Sequence, residues 1–191
     1  MRREIAAAAL ISMAAVNGCK ENRLVPRGRA EIILSEVKLR GPAPVSRRID
    51  TDEDFGRTVM DGIATGDSVW LDVAAALRPV SATSEASFAI ALASALPRAP
   101  QQVLSLVGSR YPTEEVCGMP FLKADSAQVI SYYDETAVAL GTVRDTTLKS
   151  AVQVCRAALD SSRNRRLERI NPAYVIKNKP APAPVRRRTR R

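Results

Sequence analysis

The sequence predicts an all-α protein: a small orthogonal helical bundle with a C-terminal helical hairpin and a disordered basic tail. Three observations lead there. Apolar residues recur at steps of three and four from residue 52 onward, the spacing of one helix face. The breaks between these stripes fall on Pro, Gly, Asp and Ser, which stop and cap helices. Aromatics make up only 4% of a chain that is 46% apolar, so its core is built of Ala, Val, Leu and Ile. A length of 191 residues suits one such domain with tails.

Met1-Arg2-Arg3 precedes an apolar run over residues 5–16 that only Ser12 interrupts. A basic start and a run of this length suit a signal peptide over residues 1–18 and are too short for a membrane-spanning helix. No later stretch approaches the ~20 apolar residues that a transmembrane helix needs, so none is expected. Val16-Asn17-Gly18-Cys19 resembles a bacterial lipobox, in which the cysteine takes lipid and becomes the mature N-terminus, although Asn17 departs from the usual small or aliphatic residue. Cys19 is therefore the candidate lipidation site; the alternative is cleavage nearby by signal peptidase.

Residues 19–50 read as a basic linker or N-terminal segment rich in Arg, Gly and Pro. Its one apolar island, Ile32-Ile33-Leu34 through Leu39, fits a short strand or an amphipathic turn equally well. The helical domain is expected over residues 51–169. Phe55, Val59 and Ile63 form its first stripe behind Asp52, Glu53 and Asp54, acids that suit a helix N-terminus. Trp70, Val73, Ala74 and Leu77 form a second, between Gly66-Asp67-Ser68 and Pro79. Ser84 can cap a third, with Phe88, Leu92 and Leu96, stopped by Pro97. Pro100 opens a short fourth, closed by Gly108.

Two longer helices follow. Asp125 or Ser126 caps one bearing Val129, Tyr133, Ala137 and Leu140; Asp145 caps another bearing Leu148, Val152, Cys155 and Leu159. A shared turn near residues 141–147 makes them a hairpin. Cys155 falls on an apolar face, and Cys117 sits in an extended turn before the hairpin. With Cys19 set aside, these two remain as a disulfide pair in an exported protein, or as two buried thiols in a reducing compartment.

Gly66-Asp67-Ser68-Val69-Trp70-Leu71, the Leu77-Arg78-Pro79 stop, Ala95-Leu96-Pro97 and Val116-Cys117-Gly118-Met119-Pro120-Phe121 with Cys155 resemble a group of small exported proteins of Proteobacteria. The resemblance covers residues 66–160 and rests on packing and turn motifs. It implies a helical fold and export; that group has no assigned activity.

The charge divides unevenly. Residues 1–48 hold ten Lys/Arg and four Asp/Glu, giving +6; residues 49–162 hold eight and fifteen, giving −7; residues 163–191 hold eleven and one, giving +10. A Pro/Ala-rich spacer within residues 170–191 leads to Arg186, Arg187, Arg188, Arg190 and Arg191. Such a run repels itself unless an anion is present, which makes these five arginines the candidate anion-binding tail.

Enzymatic readings find no support. The chain has no histidine, which excludes Ser-His-Asp and Cys-His mechanisms and His-ligated metals. Gly66-Asp67-Ser68-Val69 is similar to the start of a lipase/esterase motif, yet Ser68 has no histidine base to activate it. Ser35-Glu36-Val37-Lys38 fits Ser-x-x-Lys without the companion elements of penicillin-recognising enzymes. Asp50 to Asp61 has the alternating acids of a calcium loop but Phe55 where glycine is needed. No catalytic, cofactor or metal site is expected. The expected role is that of an exported, non-enzymatic protein, periplasmic or anchored at the outer membrane, that meets an anionic envelope surface or an acidic protein partner. Nucleic-acid binding through the basic ends is the alternative, weakened by the acidic middle and by the lack of aromatics in the tail.

Overall fold

A computed structural model describes residues 25–120 and 125–170. Among them are nine α-helices and one 3-10 turn, with no strand. The all-α class is therefore as expected.

Segment 19–50, expected as a basic linker, instead holds two core-forming helices from Arg27 on. In α1 (Arg27–Arg40) Ala30 and Ile33 are buried, and Leu34 and Val37 pack beside them. Steps of three, one and three put these four on one face. The helix stops at Gly41, whose φ of +78° suits glycine, and Pro42 opens α2 (Pro42–Thr51), where proline is tolerated because its first-turn N–H would lack a helical partner anyway. Val45 and Ile49 of α2 join the same core.

The Asp52 carboxylate accepts the Phe55 N–H at 3.0 Å and starts α3 (Glu53–Ala64); that hydrogen bond holds its carboxyl below the usual range. At Gly56 a β-carbon would meet the Ile49 carbonyl oxygen at 2.6 Å, so α2 and α3 cross in backbone contact. Asp67 caps α4 (Ser68–Ala76), which buries Trp70, Leu71, Val73 and Ala74.

The central helix is α5 (Ala82–Ala95), packed by α2, α3, α6 and α7. Phe88, Ala89, Ala91, Leu92, Ala93 and Ala95 are all buried, which explains its small-residue composition. Its cap is Ser81, with Ser84 at the third helical position returning the hydrogen bond. The expectation that Ser84 itself caps is thus corrected by three residues.

Next come α6 (Pro100–Leu106) and α7 (Thr113–Cys117). Between them Tyr111 stacks on Phe88 with ring centroids 5.5 Å apart and donates its hydroxyl to Ala74 O at 2.9 Å. Cys117, expected in an extended turn, closes α7. The turn is the next step, Gly118 and Met119, where Met119 has φ +54°.

An Asp125/Gln128 capping box starts α8 (Ser126–Thr142). Asp145 caps the 3-10 turn Thr146–Leu148, which runs directly into α9 (Lys149–Ile170). Helices α8 and α9 pack antiparallel: Tyr133 meets Asp160 while Ala137, a turn later, meets Arg156. They are the expected hairpin.

Candidate functional site

The C-terminal half of α9 gathers the strongest positive charge among the described residues. Arg163, Arg165, Arg166 and Arg169 fall within seven positions, with Glu168 the one acid between them. Cationic side chains suit this end of a helix, where carbonyls lack partners and the dipole is negative. The amphipathic spacing explains their different surroundings. Leu159, Ser162 and Leu167 are buried and fix the helix on the bundle.

Arg163 and Arg166 lie at the edge of that face and are half-buried; Arg165 and Arg169 are exposed. The Arg163 guanidinium sits over the Tyr133 ring, 4.4 Å from its centroid. That tyrosine donates its hydroxyl to Asp160 at 2.7 Å, and the acceptor carboxylate raises the phenol pKa. Arg165 donates to Ser162 Oγ at 3.1 Å. Burial lowers the Arg166 pKa, and the neighbouring Arg169 charge adds to the effect. Among the described residues, Arg27, Arg40, Arg48 and Arg57 form ion pairs with nearby acids on α1 to α4. Neither Arg165 nor Arg169 has a carboxylate partner there.

Both α8 and α7 pack against this arginine-bearing helix. Cys117 and Cys155 lie at disulfide distance, with sulfurs 2.00 Å and α-carbons 5.3 Å apart. Two turns further along α9, Gly118 packs beside Ser162. A β-carbon at Gly118 would meet the Glu114 carbonyl oxygen at 2.0 Å, so the turn after α7 accepts no larger residue without shifting.

The other sequence-predicted residues divide in two. Cys19 and the tail Arg186, Arg187, Arg188, Arg190 and Arg191 lie outside the described residues, as does the leader. The hydrolase-like serines are inside them and occupy structural positions. Ser68 is the first residue of α4 and accepts from Arg27 at 3.3 Å. Ser35 donates to its own helix at Glu31 O, 2.9 Å, on an exposed face. Asp50 to Asp61 belongs to the end of α2 and to α3, with no ligand loop between them. Among the described residues no group of three or more His, Cys, Asp or Glu side chains is placed to hold a metal, and no helix is long and apolar enough to cross a membrane.

A cleft of about 440 Å³ between α2, α3 and the start of α5 is not foreseen by any motif. Asp50, Glu53, Arg57, Ser81, Ser84 and Ser87 border it. Ser81 donates to Asp50 at 3.1 Å, and Ser84 is held by the capping hydrogen bonds. The Ser-x-x-Ser cap is visible in sequence, but its meeting with Asp50, thirty-one residues away, is a tertiary event. Comparison with protein-family models, with curated proteins and with solved structures finds no match to this chain.

Proposed function

We propose that this chain is an exported, non-enzymatic helical protein of the cell envelope, anchored through a lipidated Cys19, whose arginine-rich C-terminal segment binds an anionic envelope surface. The observation that carries this reading is the continuity of positive charge. Arg165 and Arg169 stand exposed at the end of α9, without carboxylate partners among the described residues, and the chain runs on from there to the five arginines of residues 186–191. Guanidinium groups at this density favour a polyanionic surface, where each charge is neutralised externally.

Export is supported by the basic start with its apolar run and by the disulfide distance of Cys117 and Cys155, a pairing that persists in oxidising compartments. The absence of a catalytic role is supported by the absence of histidine and by the positions of Ser68 in the first turn of α4 and Ser35 on an exposed face of α1.

Two measurements test the reading. Intact mass of protein from the native host is expected to begin at an acylated Cys19; an unmodified full-length chain overturns the envelope assignment. Full-length protein is expected to be retained on anionic vesicles at low salt, and a variant with all five tail arginines changed to Gln is not. Equal retention of both overturns the role of the tail. Much tighter binding to single-stranded nucleic acid than to vesicles favours the nucleic-acid alternative instead.

A further inference from the structure

Helix α1 carries a second stripe that the bundle does not use. Its inner face, Ala30, Ile33, Leu34 and Val37, meets the core. On the opposite face Gly28, Ile32, Ser35 and Leu39 follow one another at steps of four, three and four, within about 60° of each other at 3.6 residues per turn. All four are exposed; Ile32 is 68% and Leu39 86% exposed, although most large aliphatic side chains of the bundle are buried. This is the heptad spacing of a helix that packs along another helix.

The stripe alternates small and large residues. A β-carbon at Gly28 would meet nothing within 4 Å. The Ser35 hydroxyl donates to Glu31 O of its own helix at 2.9 Å, so covering Ser35 with an apolar group leaves no donor unmatched. Glu31 and Lys38 flank the stripe on one edge, and neither has an ion-pair partner among the described residues. Arg29 and Glu36 flank it on the other, where Arg40 and Arg48 already hold Glu36 at 3.4 and 4.0 Å. That edge falls away into a depression of about 360 Å³ lined by Arg29, Ile32 and Phe55, which leaves the approach to the stripe open.

We propose that this face binds the same face of a second copy of the chain, α1 antiparallel to α1 about a two-fold axis. The register follows from the side chains. With the axis at the level between residues 33 and 34, Leu39 of each copy packs over Gly28 of the other, and Ile32 over Ser35. Each large side chain then fills the space above a small one. The same register sets Glu31 of each copy beside Lys38 of the other, which makes two symmetric ion pairs from groups otherwise unmatched. Arg29 comes beside the Glu36 of the second copy, a carboxylate already paired, and is not counted. A parallel pair is disfavoured by the same residues: it lays Ile32 on Ile32, leaves gaps at Gly28 and Ser35, and turns Glu31 toward Glu36.

Gly28 to Leu39 spans about 16 Å of helix at 1.5 Å per residue. So short a contact belongs to the transient class, below roughly 1,200 Å² of buried surface, and the dimer is concentration-dependent. It does not depend on the envelope reading above.

Sedimentation equilibrium of the full chain tests the dimer, in a Cys19→Ser background that removes intermolecular disulfides through that residue. A reversible monomer–dimer equilibrium is expected in the micromolar to submillimolar range. Ile32→Asp and Glu31→Lys are each expected to raise the dissociation constant about ten-fold, by placing a charge against an apolar group or against Lys38. Adding Lys38→Glu to Glu31→Lys is expected to restore association, because the reversed pairs are again complementary. These positions are exposed, and helical circular dichroism verifies the fold of each variant. Cross-linking reads the register, since Cys117 and Cys155 are fully buried. A short bismaleimide is expected to link Ser35→Cys to itself across the axis, and to link Gly28→Cys and Leu39→Cys only to each other in a mixture. A chain that stays monomeric up to about 1 mM overturns the proposal. So does association that is indifferent to Ile32→Asp and to the charge reversal, and so does self-linking of Leu39→Cys, which only a parallel pair or another register allows.

Discussion

The indole of Trp70 lies directly against the backbone of Gly62: a β-carbon there would fall 2.2 Å from Cδ2 and 2.5 Å from both Cε2 and Cε3. The contact joins α3 to α4 across the short Gly66-Asp67 turn and lets a 1% exposed tryptophan fit in a core made mostly of aliphatic residues. The atoms that would clash belong to a rigid ring, so relief needs movement of a whole helix. Gly62→Ala is therefore expected to destabilise the fold by about 1–3 kcal/mol through overpacking, despite alanine's better helix propensity. Urea denaturation of the variant measures this; an unchanged midpoint means the ring has room that the packing denies.

Cys117 and Cys155 enclose a sequence separation of 38 residues and join α7 to α9. In the chain-entropy model a cross-link over a loop of this size contributes about 3–4 kcal/mol. Non-reducing peptide mapping of exported protein is expected to find one linked pair, and Cys155→Ser is expected to lower stability by an amount of that order. Two freely alkylated thiols in unreduced exported protein would mean that the pair is not closed there.

Helix starts were the most legible part of this fold, because capping is local chemistry. Asp52, Asp67 and Asp125 each accept a backbone N–H two or three residues on, and Pro100 opens α6. Residues 27–51 were not legible. Ala30, Ile33, Leu34 and Val37 do form a helical stripe, but Ile32 and the 86% exposed Leu39 lie off it and blur the period. Pro42 and Pro44 look like linker residues, yet proline is compatible with the first turn of a helix, which is where they stand. Of the candidate site, the arginine run is visible as charge alone. The stacking of Arg163 on Tyr133, thirty positions away, requires the hairpin to form first, and so does the proximity of Gly118 to Ser162.

Two tyrosines make stability sensitive to alkali. Tyr132 keeps an exposed edge, but its hydroxyl donates to Ala93 O at 2.9 Å and burial pushes its pKa to about 12. Burial raises that of Tyr111, the donor to Ala74 O, further still. In the unfolded chain both ionise near 10. Below that pH both states hold the protons and stability is fully present. Between about 10 and 12 the unfolded state releases protons that the folded state keeps, so stability falls as pH rises. Thermal melts are expected to show this decline. Tyr132→Phe is expected to make it shallower, at a cost of about 1 kcal/mol near neutral pH for the lost hydrogen bond. A decline of the same steepness in that variant would remove Tyr132 from the account.

Arg165 and Arg169 separate two roles for the end of α9. They stand one turn apart on an exposed edge, so their mutual repulsion destabilises the helix by a few tenths of a kcal/mol, while their interaction with the carbonyl end of the helix offsets it by a similar amount. A double change to Gln is therefore expected to leave thermal stability within about 0.5 kcal/mol. If their purpose is helix termination, nothing else changes. If the helix end and the C-terminal arginines form one cationic surface, vesicle retention weakens by a smaller factor than in the variant lacking all five tail arginines. The residual binding must also become less salt-sensitive, because fewer charges remain to be screened over the Debye length of about 8–10 Å. Retention measured at two ionic strengths distinguishes these outcomes. Unchanged affinity and salt dependence in the double variant would confine anion binding to residues 186–191 and leave α9 as the support from which they extend.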